Sequence, residues 1–493
     1  MKSLWLDTAP SIDTDPFTPG ASYDAVVVGA GLTGLTAAVL LARAGLSTAV
    51  LEARQVGAVT TGNTTAKVSL LQGTSLSSIR QHHDDDAVRA YVEGNREGQS
   101  WLLRFLEENG VGYEVRDAWT YAETAKGRRS LEAERDAAAA AGLDVELITE
   151  TELPWAVSGA LRLPGQAQIH PLQALAALAA ELRSRGGHLV EGVRVTSLRH
   201  EGGQARLTTG SGEVSAGNVI LATGIPFLDR GGYFAALKPQ RSYAVALPTT
   251  GPVPQGMYLS VDSPSRSLRT AAVNGTEYLL AGGNGHTVGR HRHTRDLVDD
   301  LTGWTVDRFP VLAERSYAWS AQDYSPASKM PYVGRVPLGG GDVYAATGYN
   351  KWGMTNAVAA ALALSAQILG GRNDWAARLY KPQLAPRDAA AGAGYNAEVG
   401  LSMVTGWAGG LLRTTDEPPV EGEGVVAREN GQPVGICTVN GVTSRVSAVC
   451  PHLKGVLNWN DAELSWDCPL HGSRFSADGT LLEGPATKGL EPA

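Results

Sequence analysis

Two short segments near the end of the chain, Cys450-Pro-His452 and Cys468-Pro-Leu-His471-Gly-Ser, constrain it more than any other feature. Fifteen residues separate His452 from Cys468. Each segment offers one thiol and one imidazole on a loop marked by Pro or Gly, a ligand set for an iron–sulfur centre or for zinc. Zinc fingers favour closely spaced Cys–Cys and His–His pairs, and the single residue between Cys450 and His452 strains a common tetrahedron. A two-iron cluster with thiolates on one iron and imidazoles on the other accepts the spacing.

The chain has only three cysteines, and these segments use two. Cys437 lies in the alternating apolar stretch VGICTVNG and reads as a small buried hydrophobe. No pair remains for a structural disulfide, which fits a reducing cytoplasm. A length of 493 residues implies two or three domains. The net charge of −8 argues against nucleic acid or an anionic membrane as partner. No apolar run is long enough to span a bilayer, and the acidic, Pro-broken residues 1–22 read as a polar N-terminal extension, with no secretion signal.

The stretch YDAVVVGAGLTGLTAAVLLARAGLSTAVLE carries a second motif. A buried-strand run ends at Gly29. Gly31 and Gly34 then open an apolar helix, and a second strand run ends on Glu52, eighteen residues past Gly34. In a dinucleotide fold the first Gly makes the turn, the second admits the pyrophosphate and the third packs helix on strand. The acid holds the ribose hydroxyls. Farther on, Gly283-Asn-Gly285 follows a strand but leads into Arg290-His-Arg-His, which is no apolar helix, so a second nucleotide site is not expected. His286 and His291 have a spacing seen for mononuclear iron, with Gly283 where a carboxylate is needed.

The cysteine–histidine segments resemble the Rieske [2Fe-2S] domain, with HGSRF after the second pair and Gly484-Pro485-Ala486 at the place of the cluster-covering proline loop. Cys450, His452, Cys468 and His471 are then the cluster ligands. The positions that carry a loop disulfide and a tyrosine in high-potential members are Gly455, Leu470 and Phe475 here, which implies a low potential.

The N-terminal part resembles the FAD-dependent D-amino-acid oxidase/glycine oxidase superfamily. The resemblance implies an α/β FAD-binding domain of the two-dinucleotide-binding type, with an α+β substrate subdomain, followed by the all-β Rieske domain. It places Gly29, Gly31, Gly34, Glu52, Thr65, Lys67, Gly224, Gly348, Lys351, Gly353, Met354 and Thr355 at the cofactor. Arg241, read either as a ligand for a substrate carboxylate or as an arginine paired at the sheet edge, is a candidate catalytic residue with Lys351 and His286. Asp323, Tyr324 and Lys329 are candidates for the substrate face, and His170 reads as a helix-start residue.

The expected division is an FAD domain over 23–380, with its substrate part near 87–150 and 238–320, then an Ala/Gly/Pro-rich linker over 381–403 and the Rieske domain over 404–493. Flavin takes hydride and a [2Fe–2S] centre carries one electron, so the pair converts two-electron into one-electron chemistry. The resemblance implies oxidation of a small amine or amino-acid-like substrate to an imine, with electrons passing to an external one-electron acceptor protein. The alternative is a reductase module relaying electrons to a partner oxygenase.

Overall fold

The computed structural model describes residues 1–493 apart from 229–231, 315, 338–339, 381–385 and 413–416; for 386–391 and 410–412 it describes the backbone alone. The apolar run ending at Val28 forms the strand Ser22–Val28, which pairs in parallel with Thr48–Leu51 and with Gly212–Leu221. Asp342–Thr347 and His188–Val190 extend the same eight-stranded sheet in parallel on either side. The buried ends of the central strands, Ala25–Val28 and Val219–Leu221, are apolar because both faces are covered there. The helices Leu32–Arg43 and Gly353–Ile368 pack together on one face, and Val27, Leu35 and Val358 belong to the core they close.

A nine-stranded, mostly antiparallel sheet stands beside it. Tyr317–Pro326 forms one edge, followed by Leu237–Pro248, Thr276–Thr287 and Arg266–Val273. Lys67–Val68 lies at the other edge, beyond Gly159–Gln168. The sheet therefore draws on more chain than the expected 87–150 and 238–320. Lys67–Val68 and Gly159–Gln168 lie outside those limits, and Tyr317–Pro326 runs past them.

The last part of the chain forms a three-stranded sheet, Gly424–Glu429, Gln432–Val439 and Val442–Ser447, and a four-stranded sheet from Asn458 to Glu483. Of the stretch 381–403 expected to be a linker, 381–385 lies outside the described residues. The remainder is helical, as part of the helix Pro386–Leu412. Its alanines favour helix strongly enough to outweigh the scattered glycines. Val399 and Met403 on this helix pack against the Rieske core.

The N-terminal residues are also more than a polar extension. Ser3 caps the short helix Leu4–Asp7, and Leu4 and Trp5 are fully buried. Three apolar residues are too few to show a periodicity, yet they insert beneath the loop that follows Glu52.

Candidate functional site: a dinucleotide cavity beside a two-loop cluster site

A cavity of about 390 Å³ opens between the two large sheets. At one end stand the glycines of the fingerprint. Gly29 has φ 107°, and a Cβ there would lie 2.6 Å from the Ala222 carbonyl oxygen. At Gly34 a Cβ would fall 1.9 Å from the Gly29 carbonyl oxygen, so this residue packs helix on strand and does not line the cavity. Gly31 does line it, together with Leu32 and Thr33 of the first helical turn. Gly31 at the cap makes no side-chain bond; Leu32 N–H donates to Thr61 Oγ1 at 3.2 Å, and the N–H groups of Thr33 and Gly34 remain for an anion.

Glu52 is a cavity residue held in place by its own backbone neighbours. Its Oε2 accepts from Ala30 N–H at 2.9 Å and its Oε1 from Arg54 N–H at 2.8 Å. Burial pushes its carboxyl up, opposed by those two bonds. Each oxygen keeps a lone pair for a hydroxyl donor. Close backbone approach, a helix N-terminus and an acceptor for ribose together fit a dinucleotide.

Thr65, Lys67, Gly224, Gly348, Lys351, Gly353 and Met354 also line the cavity. The helix Gly353–Ile368 starts here without a side-chain cap, so its first N–H groups point to the cavity and suit a flavin carbonyl. Thr355 is a correction. It is not a cavity residue, because its hydroxyl donates to Asn95 Oδ1 at 2.6 Å and accepts from Gln72 Nε2 at 3.0 Å in a buried polar cluster.

Lys67 is buried, and its Nζ donates to the Tyr258 carbonyl and to Ser267 Oγ, both at 2.7 Å. Burial, reinforced by nearby Arg269, brings its ammonium down to about 7. Lys351 adopts φ 71° and donates from Nζ to Ser242 Oγ at 2.8 Å. Its backbone N–H meets the Asp323 carboxylate, which burial raises to about 6. Asp323 and Tyr324 both line the cavity, whereas Lys329 does not.

Two expected catalytic residues are elsewhere. Arg241 is 1% exposed, and its guanidinium is committed to Ser320, Gln322 and Glu463, so it cannot hold a substrate carboxylate. Its partner Glu463 belongs to the Rieske domain; burial works against that carboxylate, but Arg241 and Arg474 hold it down at about 2. His286 is not among the cavity residues. Its ring stacks on Tyr243 at 5.7 Å, lies 5.5 Å from His291, and its Nδ1 is 3.1 Å from the Asn284 carbonyl. His170 keeps its structural reading, with its ring 5.0 Å from Trp5.

No motif signals the support under the loop 60–65, whose side chains line the cavity. Three consecutive carbonyls of this loop are each held from behind. Ser3 Oγ donates to Gly62 O at 2.6 Å, Trp319 Nε1 to Asn63 O at 2.9 Å and Trp5 Nε1 to Thr64 O at 2.7 Å.

In the Rieske domain the two loops bring like ligands together. The Cys450 and Cys468 thiols hydrogen-bond to each other. The His452 and His471 rings lie 5.1 Å apart at 85°. No three His, Cys, Asp or Glu side chains gather around one ion among the described residues. A binuclear cluster needs only two protein ligands per iron, and this arrangement supplies a thiolate pair and an imidazole pair. Leu470 fills the space left by Gly455, where a Cβ would lie 2.5 Å from Leu470 Cδ1.

The imidazole pair is turned toward the FAD domain. Phe234 packs edge-on against both rings, 5.9 Å from His452 and 5.4 Å from His471. Gln322 Nε2 donates to the Gly472 carbonyl at 2.8 Å, and Pro239 lies directly against Gly472. The strand Tyr317–Pro326 thus separates the two sites. Ala321 and Asp323 face the cavity, while Ser320 and Gln322 meet the Rieske domain. That alternation is the ordinary two-residue period of a strand.

Comparison with known proteins accounts for both parts. The family model described as FAD dependent oxidoreductase matches residues 24–367, and that of the Rieske [2Fe-2S] domain matches residues 412–492. The chain is 30% identical over 509 residues to the Rieske 2Fe-2S iron-sulfur protein YhfW of Bacillus subtilis (strain 168), covering 99% of this chain and 95% of that protein. It is 25% identical over 363 residues to gamma-glutamylputrescine oxidoreductase of Escherichia coli (strain K12), covering 69% and 82% of the two chains. Glycine oxidase from Geobacillus kaustophilus superposes with a TM-score of 0.63 at 19% identity, over 74% of this chain and 99% of that one, which shows a shared fold. With a cavity that fits FAD and loops that fit a [2Fe–2S] cluster, the chain belongs to the FAD dependent oxidoreductase family and carries a C-terminal Rieske domain.

Proposed function

We propose that the protein oxidises the C–N bond of a small amine or amino-acid-like substrate to an imine and passes the electrons singly through the Rieske cluster to an external acceptor protein. The observation that carries this reading is the partition strand Tyr317–Pro326, with the cavity on one face and the cluster loop Gly472 bonded to the other. FAD, when bound, accepts a hydride and can release electrons one at a time. An oxidase discharging to oxygen would have no use for a cluster facing its flavin cavity.

The chain's own residues supply the remaining chemistry. Gly282, Gly283 and Gly285 line the cavity, and a Cβ at Gly285 would lie 2.8 Å from Lys351 Nζ, so glycine there keeps Lys351 in place. Lys67, with its ammonium near 7, holds or releases a proton at Nζ close to neutrality, which suits an amine that must be uncharged before oxidation. Asp323, near 6, offers a second proton site beside Lys351. The E. coli relative's name, an oxidoreductase of gamma-glutamylputrescine, agrees with an amine as the substrate class.

Anaerobic flavin bleaching against a panel of amines and amino acids tests the reading. Bleaching by a member of the panel, followed by the signal of a reduced cluster, is the expected result. Bleaching by NADPH or NADH alone would replace it with the reductase relay.

A further inference from the structure

We propose that the loop 481–487 of the Rieske domain is a wall of the FAD site as well as the cover of the cluster, and that it couples the two cofactors energetically. The proposal rests on the assignments of FAD and cluster, and it is independent of which substrate is oxidised.

Leu482, Glu483, Gly484, Ala486 and Thr487 line the same cavity as Glu52 and the fingerprint glycines. A dinucleotide filling that cavity therefore rests against the Rieske domain. The loop is tied on both sides. Arg194, itself a cavity residue whose charge is felt by Glu52, donates from Nη2 to the Leu481 carbonyl at 3.1 Å. Glu483 accepts from Arg474 Nη1 at 2.6 Å, and Arg474 also binds Asp467 and Glu463 beneath the cluster loops.

The other face of the loop reaches the cluster ligands. Ala486 N–H donates to Ser473 Oγ at 3.0 Å, and the Ser473 hydroxyl hydrogen-bonds to the Cys450 thiol. Hydrogen bonds to a ligand sulfur tune the electronic properties of a metal centre. A cofactor that presses on residues 482–487 thus acts two bonds from Cys450. Coupling of this kind is reciprocal: if FAD alters the cluster, the covered cluster alters FAD affinity by the same factor.

The test uses the full-length protein with both cofactors. FAD is removed by dialysis against concentrated bromide and then restored. The low-temperature EPR spectrum of the dithionite-reduced cluster and its midpoint potential are recorded in each state. The expected result is a shift in g values and potential on FAD removal, reversed on reloading. Identical spectra and potentials in both states would overturn the coupling. Arg194→Met should weaken FAD binding about tenfold, the effect of losing one charged hydrogen bond, with iron content unchanged. Should that variant fail to fold, Thr487→Leu, which crowds the cavity from the Rieske side, must also weaken FAD binding at unchanged iron content. FAD affinity equal to that of the parent protein in the variant that folds would overturn the shared wall.

Discussion

The cluster ligands Cys450, His452, Cys468 and His471 come from 22 consecutive residues, whereas the FAD cavity draws its wall from Val28 through to Thr487. The cluster site depends on four side chains that no other residue type replaces. The cavity depends mainly on backbone geometry, on small residues and on a few charged side chains, Glu52 among them. A local site built from irreplaceable ligands should fail completely when one is changed. A distributed site should weaken by degrees, and the interface between the two should register damage to either.

Cys468→Ser gives the largest effect. A hard hydroxyl replaces a soft thiolate, so iron and acid-labile sulfide should be lost nearly completely. Anaerobic bleaching of the flavin by substrate should persist at saturating FAD while reduction of a protein acceptor such as a ferredoxin collapses. If bleaching by substrate also disappears, electrons enter through the cluster and the direction of flow is reversed.

Glu52→Arg tests the distributed site at one specific side chain. Loss of the ribose acceptor should weaken FAD binding about a hundredfold, the effect of two charged hydrogen bonds, as read by equilibrium dialysis. The cluster EPR signal should remain. Arg241→Met strikes the interface. It strips Glu463 of one of two cations and should destabilise the protein by about 3 kcal/mol, seen as a lower midpoint in denaturant.

Glu463 also sets an acid limit. Its carboxylate has a folded value of about 2, below its ordinary 4.5. The stability it contributes is therefore complete above about 4.5 and is lost as the pH falls toward 2. Scattering at decreasing pH should show the two domains separating within that window, and Glu463→Gln should remove this part of the pH dependence. The smallest effect belongs to Phe475, buried at the tyrosine position of high-potential relatives. The cluster potential should fall below about +150 mV in a range that extends to about +300 mV, and Phe475→Tyr should raise it by adding a donor near the cluster sulfurs.

The same contrast explains what could be read from the sequence. The cluster ligands stand within two short motifs, and Gly29, Gly31, Gly34 and Glu52 follow one another at spacings fixed by a strand and a helix. Arg241 was misassigned because its partner Glu463 lies 222 residues away, and a buried arginine looks the same in sequence whether it awaits a substrate or a carboxylate from another domain. Thr355 sits one residue past Met354, at a helix start where one position turns a side chain from the cavity to the interior. Trp5 carries no motif, and Gly484-Pro485-Ala486, legible as a cover for the cluster, gives no sign of its second face on the cavity, since both roles consist of hydrogen bonds to main-chain atoms and of shape. The helix over 386–412 was hidden by composition, with Pro and Gly suggesting a linker where Ala prevailed.

Along the partition strand, neighbouring residues answer to different cofactors. Ala321 and Asp323 face the cavity, and Ser320 and Gln322 face the Rieske domain. Mutations over 320–323 should segregate by parity, with Ala321 and Asp323 altering the flavin spectrum and Ser320 and Gln322 the iron signal; at Tyr324 the alternation ends and the side chain lines the cavity. Selection on this stretch therefore reads two interleaved messages in one line of text. A single-residue deletion would exchange them, which makes the strand intolerant of length change even where each substitution is mild.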